Sequence, residues 1–384
     1  SDTCNYCSDF NEDGLDDLLM AGMNGVTTYL NLGNSGFDYR PVANIAGAAH
    51  LHAIDLDLDG DMDVGFWVPN TERVYWAEQL GEDSWDVHLL QDFGESSSTI
   101  SDMVFSDVDG DGDVDVLSAS RDDDKIAWYE NDGSQNFTAH TITTTADGAY
   151  SVFAIDVDDD GDVDVLSASQ NDGKIAWYEN TICPVGTFSS SGTSPCTACN
   201  AGYTTLRLGT IGSDVSSCGT CAVGFYGTTS DGESGCSEVL YFTEASAHII
   251  STEADSPQSV YAVDLDGDGD VDLLSASFND NKIAWYENDG SQSFTAHTIT
   301  TSADGAHSVF AVDVDGDGDI DVLSASADDN KIAWYENDGS QSFTTHTITT
   351  TADGAHSVFA IDVDGDGDID VLSASDKKIA WYEN

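Results

Sequence analysis

Aspartate falls at every second residue in the string D-x-D-x-D-x-D-x-D, and that string returns along the chain at near-constant spacing, so one unit is built over and over. The first aspartates are Asp9, Asp55, Asp107, Asp156, Asp264, Asp313 and Asp362, at intervals of 46, 52, 49, 108, 49 and 49 residues. Seven repeats follow. The one long interval exceeds the others by a whole insert, and six of the eight cysteines lie in it. Residues 1–182 therefore read as repeats 1 to 4 (first part), 183–237 as a cysteine-rich insert, and 238–384 as the rest of repeat 4 and repeats 5 to 7.

Each repeat reads as four short strands. In repeat 6 the runs 308–314, 321–327, 331–337 and 342–349 are rich in Val, Ile, Phe, Trp, Tyr and Thr, with Gly, Asp and Asn between them. Both faces of the third run are apolar, Ile332 and Trp334 on one side and Ala333 and Tyr335 on the other, so each sheet must be covered twice. Four-stranded sheets stacked around an axis meet that condition. The fold expected is all-β, a seven-bladed β-propeller with a small disulfide-rich insert in blade 4. The Trp and Tyr stripe is then core between blades.

The loops hold the chemistry. Loop 1 carries Asp9, Asn11, Asp13, Leu15 and Asp17; loop 2 Asp55, Asp57, Asp59, Asp61 and Asp63; loop 3 Asp107, Asp109, Asp111, Asp113 and Asp115. Loop 4 carries Asp156, Asp158, Asp160, Asp162 and Asp164; loop 5 Asp264, Asp266, Asp268, Asp270 and Asp272. Loop 6 carries Asp313, Asp315, Asp317, Asp319 and Asp321; loop 7 Asp362, Asp364, Asp366, Asp368 and Asp370. Carboxylates this close repel one another unless a cation sits among them. Hard oxygen donors in such number suit Ca²⁺, and about seven sites are expected. By analogy with other such loops, positions 1, 3 and 5 give one oxygen each, position 7 its carbonyl and position 9 two. Leu15 at position 7 of loop 1 agrees with a carbonyl there. An EF-hand is not expected, because position 12 is not Glu (Ser118 in loop 3) and strands flank the loop.

These turns account for much of the charge, 72 acidic side chains against 10 basic ones, a formal −62. Such a polyanion does not bind nucleic acid phosphates or an anionic membrane surface. With 40% hydrophobic residues the chain can still build a core, and no stretch reaches the roughly 18 apolar residues of a membrane span.

The loops D-x-N-x-D-G-x-x-D at 9–17 and D-x-D-G-D-G-D-x-D in repeats 3, 5, 6 and 7 resemble the FG-GAP or VCBS repeat family. The resemblance covers nearly everything outside 183–237. It implies a calcium-bearing propeller of the integrin α-subunit and fungal lectin type, extracellular or at the cell surface, used in adhesion, ligand binding or assembly. It implies no reaction, and no catalytic arrangement emerges from the residues, so the chain is not expected to be an enzyme. The partners expected are other extracellular proteins or copies of the chain itself, in a surface filament or matrix. Glycans, bound between blades on the face opposite the calcium loops, are the alternative.

In the insert, Cys183, Cys196, Cys199, Cys218, Cys221 and Cys236 contain C-x₂-C twice, which alone would match a zinc ribbon. The even count and the absence of histidine favour disulfides and an oxidising compartment. The three starts at Cys183, Cys199 and Cys221 resemble the cysteine modules of ephrin-receptor-like and TNF-receptor-like ectodomains, and sequential pairing is the expectation. Cys4 and Cys7 stay open between a mutual bridge and external partners. Asn136 heads the one N-glycosylation sequon.

Six residues before each loop the repeats differ: Ala49, Ser101, Tyr150, Gln258, His307 and His356. Tyr150, Gln258, His307 and His356 suit sugar hydroxyls and mark a candidate ligand face; drift of exposed turns competes with that reading. His88, His140, His248, His297 and His346 recur at one position of the fourth strand and read as packing residues. Repeat 7 stops at its third strand, so blade 7 is expected to lack a fourth and to invite one from further polypeptide or a neighbouring subunit.

Overall fold

The computed structural model describes residues 3–11, 13–15, 17–22, 25–32, 36–81, 84–92, 100–180, 247–376 and 378–384, together with four short strands between 187 and 238. Seven antiparallel sheets form a seven-bladed propeller, each a meander whose strands, lettered A to D outward from the axis, follow in chain order. Blade 6 is representative: Ala306–Val312, Asp321–Ser326, Lys331–Asn337 and Phe343–Thr349. Register is set by one-to-one pairs such as Leu323 with Trp334 and Trp334 with His346.

Blade 4 is interrupted in sequence but not in space. Its strand C, Lys174–Tyr178, pairs with strand D, Ala247–Ser251, across Trp177 and His248. Within the interruption, Thr187–Phe188 pairs with Thr197–Ala198, and Phe225–Gly227 with Cys236–Glu238. The side chains of the six insert cysteines lie outside the described residues, as do those of Cys4 and Cys7, so the disulfide expectations are not placed.

The core consists of seams between blades. In the seams between blades 3 and 4, 4 and 5, and 5 and 6, the Ile and Trp of strand C stand on one side and the Ala and Tyr of the next blade on the other: Ile126 and Trp128 meet Ala176 and Tyr178. Likewise Ile175 and Trp177 meet Ala284 and Tyr286, and Ile283 and Trp285 meet Ala333 and Tyr335. A period-2 strand with both faces apolar is therefore filled by two different neighbours, as its sequence requires. Trp128 and Trp177 are fully buried. At about 25 cal/mol per Å² over some 200 Å², each removes on the order of 5 kcal/mol of apolar surface from water.

Strand D roofs the tryptophan. The rings of His88, His140, His248, His297 and His346 lie 4.4–4.8 Å from those of Trp76, Trp128, Trp177, Trp285 and Trp334. Each of these histidines also hydrogen-bonds through Nε2 to the strand-C glutamate two residues beyond the tryptophan, at 2.6–3.2 Å. The recurring histidine is thus a packing residue.

The ring closes between blades 7 and 1. Leu18 packs with Val363 and Leu372, and Asn31 Nδ2 donates to the Val363 carbonyl at 2.6 Å. Among the described residues blade 7 has the strands Ser357–Ile361, Asp370–Ser375 and Lys378–Tyr382.

Candidate metal centres and the mouth of the channel

Each aspartate loop is the A-to-B turn of its blade, and glycine makes its path possible. Position 6 has φ between 90° at Gly14 and 101° at Gly60, a region that L side chains rarely enter. Position 4 is also left-handed in loops 2 to 7, and Leu58 and Asp159 occupy it in loops 2 and 4 at φ 61° and 57°. This path turns the carboxylates inward.

Positions 1, 3 and 9 converge. In Asp55, Asp57 and Asp63, Asp107, Asp109 and Asp115, Asp156, Asp158 and Asp164, Asp264, Asp266 and Asp272, and Asp313, Asp315 and Asp321, one oxygen from each residue lies within 4.8 Å of the other two. Position 5 turns one oxygen to the N–H of position 7, as Asp111 does to Asp113 at 2.9 Å. Position 1 uses both oxygens locally; Asp107 accepts from the N–H groups of Asp111 and Gly112, each at 3.0 Å. The position-7 side chains of Asp113, Asp270 and Asp319 lie against the C-to-D turn, where a Cβ on Gly133, Gly290 or Gly339 would come within 2.5 Å of the carboxylate.

Position 9 is the keystone. Asp17, Asp63, Asp115, Asp164, Asp272, Asp321 and Asp370 are all buried. Asp115 accepts Val108 N–H at 3.0 Å and Asn131 N–H at 2.8 Å, joining the start of the loop to the end of strand C. The same pair of bonds recurs at Asp272 with Leu265 and Asn288, and at Asp321 with Val314 and Asn337. The residue that ends strand C was not singled out in the sequence, although Asn closes nearly every W-Y-E-N run. Its side chain also bridges blades: Asn180 Nδ2 donates to the Val108 carbonyl at 2.9 Å and Asn384 Nδ2 to that of Val314 at 3.1 Å.

Burial of so much negative charge leaves a signature. Burial, with the charges of Asp115 and Asp111 adding to it, pushes the Asp109 carboxyl up to about 9. Burial takes Asp115 to about 7, and Asp162 and Asp164 to about 8. Oδ2 of Asp109 is buried and meets no hydrogen-bond donor among the described residues, on a side chain only 3% exposed. A carboxylate oxygen enclosed among carboxylates calls for a cation.

The opposite face holds a second feature. Tyr150, Gln258, His307 and His356, at the inner ends of four strands A, line one cavity of about 510 Å³ around the axis, with His50, His52 and Asp102. The four thus gather at the mouth of the central channel and not between blades. His307 donates from Nδ1 to the His356 carbonyl at 3.1 Å, leaving Nε2 to face the Tyr150 hydroxyl at 3.4 Å. Burial and the neighbouring His356 lower the His307 imidazole to about 4, so it is neutral at physiological pH. His356 Nε2 pairs with Asp376 at 2.9 Å. Asp102, which the sequence analysis passed over, accepts Val152 N–H and the Ser151 hydroxyl at 3.0 Å and so links blade 3 to blade 4. Beneath the mouth, Phe153, Tyr261, Phe310 and Phe359 line the channel with ring centroids 4.7–5.3 Å apart.

The repeat family can be settled by comparison. The model of the FG-GAP-like repeat matches residues 9–66, 107–167, 264–324 and 313–373, more than half of the chain. The chain belongs to the FG-GAP-like repeat family. Its matched segments begin at the first aspartate of loops 1, 3, 5 and 6, so the loop-strand unit read from the sequence is the family's unit. No curated protein sequence matches this FG-GAP-like chain.

Among solved structures, it is similar to an Agrocybe aegerita lectin, whose structure describes recognition of non-reducing terminal N-acetylglucosamine. That match has 16% identity and a TM-score of 0.54, over 91% of this chain and 80% of the lectin. A protein from Lactobacillus plantarum matches with 11% identity and a TM-score of 0.58, over 94% and 88% of the two chains. A Bacteroides fragilis protein proposed to be a 6-phosphogluconolactonase matches with 12% identity and a TM-score of 0.58, over 97% and 91%. At these identities the likeness is one of fold. Among the described residues no helix is long and apolar enough to cross a membrane.

Proposed function

We propose that this FG-GAP-like propeller is a non-catalytic, calcium-stabilised scaffold of the extracellular space, used in adhesion or in the assembly of a surface filament or matrix. One observation carries the metal: the buried, unpartnered Asp109 Oδ2 at the convergence of Asp107, Asp109 and Asp115. The donors fit the ion. All are hard oxygens, from three carboxylates and, at position 7, a carbonyl, and the donor set offers no nitrogen or sulfur for a softer metal. Bound there, Ca²⁺ would supply the positive charge that the loop's carboxylates lack.

The extracellular reading rests on the same chemistry. Extracellular modules of this kind bind calcium at about 10⁻⁴–10⁻³ M, far above cytosolic supply. A site of Kd near 10⁻⁴ M in about 10⁻² M calcium contributes roughly 2.7 kcal/mol to the folded state, and several such sites make calcium decisive for a domain of ordinary stability. The test is metal analysis of the purified chain with thermal melting in calcium and in EGTA. Several bound calcium ions per chain and a large fall of Tm in EGTA are expected; a metal-free protein at millimolar calcium with an unchanged melt would overturn the proposal.

A second reading has its own support, the gathering of Tyr150, Gln258, His307 and His356 at the channel mouth. Hydroxyl, amide and neutral imidazole groups above an aromatic floor suit a glycan, and the lectin relative shows that a propeller of this shape serves that use in another chain. Binding on a glycan array that is lost in His307→Ala and kept in Lys378→Ala would favour it; an array without signal would remove it.

A further inference from the structure

The innermost strands line the axial channel in tiers, and the chemistry changes from the rim inward. Three residues before each loop stand His52, Val104, Phe153, Tyr261, Phe310 and Phe359 in blades 2 to 7. Phe153, Tyr261 and Phe359 wall a cavity of about 450 Å³, and Phe310 stands between Tyr261 and Phe359. Rings that merely filled the axis would be closed off, as Trp128 and Trp177 are in the seams. These four are only partly buried, and at the centre of a closed wheel the surface they keep faces the channel. Neighbouring planes meet at 50–58°, so the ring faces are not hidden against one another.

The tier above carries one fixed charge. Two residues nearer the rim, blades 4 to 7 place Ser151, Ser259, Ser308 and Ser357, whereas blade 3 places Asp102. Asp102 also borders the aromatic cavity, which joins the mouth through this tier. Among the described residues it is the one carboxylate lining either cavity, and no lysine or arginine lines them. Its oxygens accept the N–H groups of Met103 and Val152 and the Ser151 hydroxyl at 2.9–3.0 Å, and His50 Nδ1 lies 3.5 Å away. The three hydrogen bonds come from neutral donors, which hold the carboxylate without cancelling its charge. Linking blades does not require that charge: Ser151 Oγ accepts Val260 N–H, and Ser308 Oγ accepts Val358 N–H, each at 3.4 Å. Burial lowers the imidazoles of His52 and His307, so neither brings a positive charge to the channel.

We propose that the channel binds a small organic ammonium cation, with its alkyl groups against Phe153, Tyr261 and Phe359 and its charge between those rings and the Asp102 carboxylate. Aromatic faces attract a cation through the ring quadrupole, most strongly where water is excluded. The other ligand classes fit less well. A metal ion finds one carboxylate where it needs several hard donors. An anion finds no lysine or arginine, in a chain of net −62. An uncharged apolar molecule uses the rings and leaves Asp102 idle. The simpler view is an aromatic plug packing the axis; it explains the rings but neither the cavity beside them nor a carboxylate where four other blades have serine. The inference rests on neither the metal nor the glycan reading.

The experiment is equilibrium dialysis of the full chain in excess calcium against choline, and against dimethylbutanol, in which a carbon replaces the charged nitrogen. Salt at about 0.15 M screens attraction to surface charges beyond about 8 Å. One saturable site per chain is expected, preferring choline to the alcohol by at least about tenfold. Phe153→Leu combined with Phe359→Leu keeps apolar bulk and removes two rings; it is expected to weaken choline at least about tenfold and the alcohol by less than about threefold. Asp102→Asn keeps an acceptor for Val152 N–H and is expected to weaken choline alone. Absence of choline uptake, uptake that never saturates, an alcohol that binds as well as choline, or undiminished choline binding by the leucine variant would each overturn the proposal. Should the leucine variant fail to fold, the comparison of choline with the alcohol on the wild type decides. The calcium melts and the glycan array are read separately, so each idea can fall alone.

Discussion

Replacing Asp115 by alanine separates the two tasks given to the ninth loop position, tying the blade together and facing a cation. The side chain is fully buried, and its oxygens hold the N–H groups of Val108 and Asn131. Losing it orphans two buried donors at about 1–3 kcal/mol each, or roughly 2–6 kcal/mol. In metal-free protein there is an opposing gain. The carboxyl titrates near 7 instead of 3.8, so holding it ionised above pH 7 costs about 4 kcal/mol at 1.36 kcal/mol per unit. The two nearly cancel, and Asp115→Ala in EGTA at pH 8 is expected to lie within about 2 kcal/mol of wild type. Calcium stabilises the wild type by its binding term of roughly 2.7 kcal/mol, which already includes relief of that charge penalty and is lost in the mutant. In 10 mM calcium, a concentration chosen at about a hundred times Kd, the mutant should therefore fall about 3 kcal/mol further below wild type than it does in EGTA. Chemical denaturation of both proteins in both buffers measures the difference. A destabilisation that is the same with and without calcium would refute the reasoning, because it would mean that Asp115 holds backbone alone.

Three further outcomes are expected. Metal-free protein should gain stability as pH falls from 9 to 5: carboxyls raised to about 9, 8, 8 and 7 at Asp109, Asp162, Asp164 and Asp115 bind protons more tightly folded than unfolded. That stability is complete below the unfolded value near 3.8 and lost as pH rises through these values; melts in calcium should show the opposite slope, since protons displace the ion. Trp177→Ala, at a closed seam, should destabilise by about 3–5 kcal/mol, and Trp381→Ala by less than about 1.5 kcal/mol, measured by urea unfolding. Gly269→Ala meets no atom within 4 Å, yet its φ of 99° makes it costly, by about 1–2 kcal/mol and with weaker calcium affinity by calorimetry.

Much of this could be read without coordinates because the molecule is repetitive. Seven in-phase copies of one motif show strand count, blade count and loop position at once, and a strand apolar on both faces has few places to go other than between two sheets. The start of strand A in blade 6 lies two residues earlier than the alternation alone suggests, since Ala306 pairs with Ser326 across a bulge that no local pattern announces.

Other features were silent in the sequence. Leu15 at the seventh position of loop 1 separates Asp113 from Asp115 as a ligand, but nothing in the sequence shows that Asp115 ties Val108 to Asn131 as a buried keystone. Asn180 and Val108 are 72 residues apart, and only the packing of blade 4 against blade 3 makes them partners. Tyr150 and His307 are 157 residues apart and meet because strands A from different blades converge on one axis. Local rules set what each repeat becomes, through turn chemistry, strand propensity and the two-residue period. The closed wheel decides which groups from different repeats are brought within reach, because burial and convergence at an axis belong to the assembled ring and to no single copy.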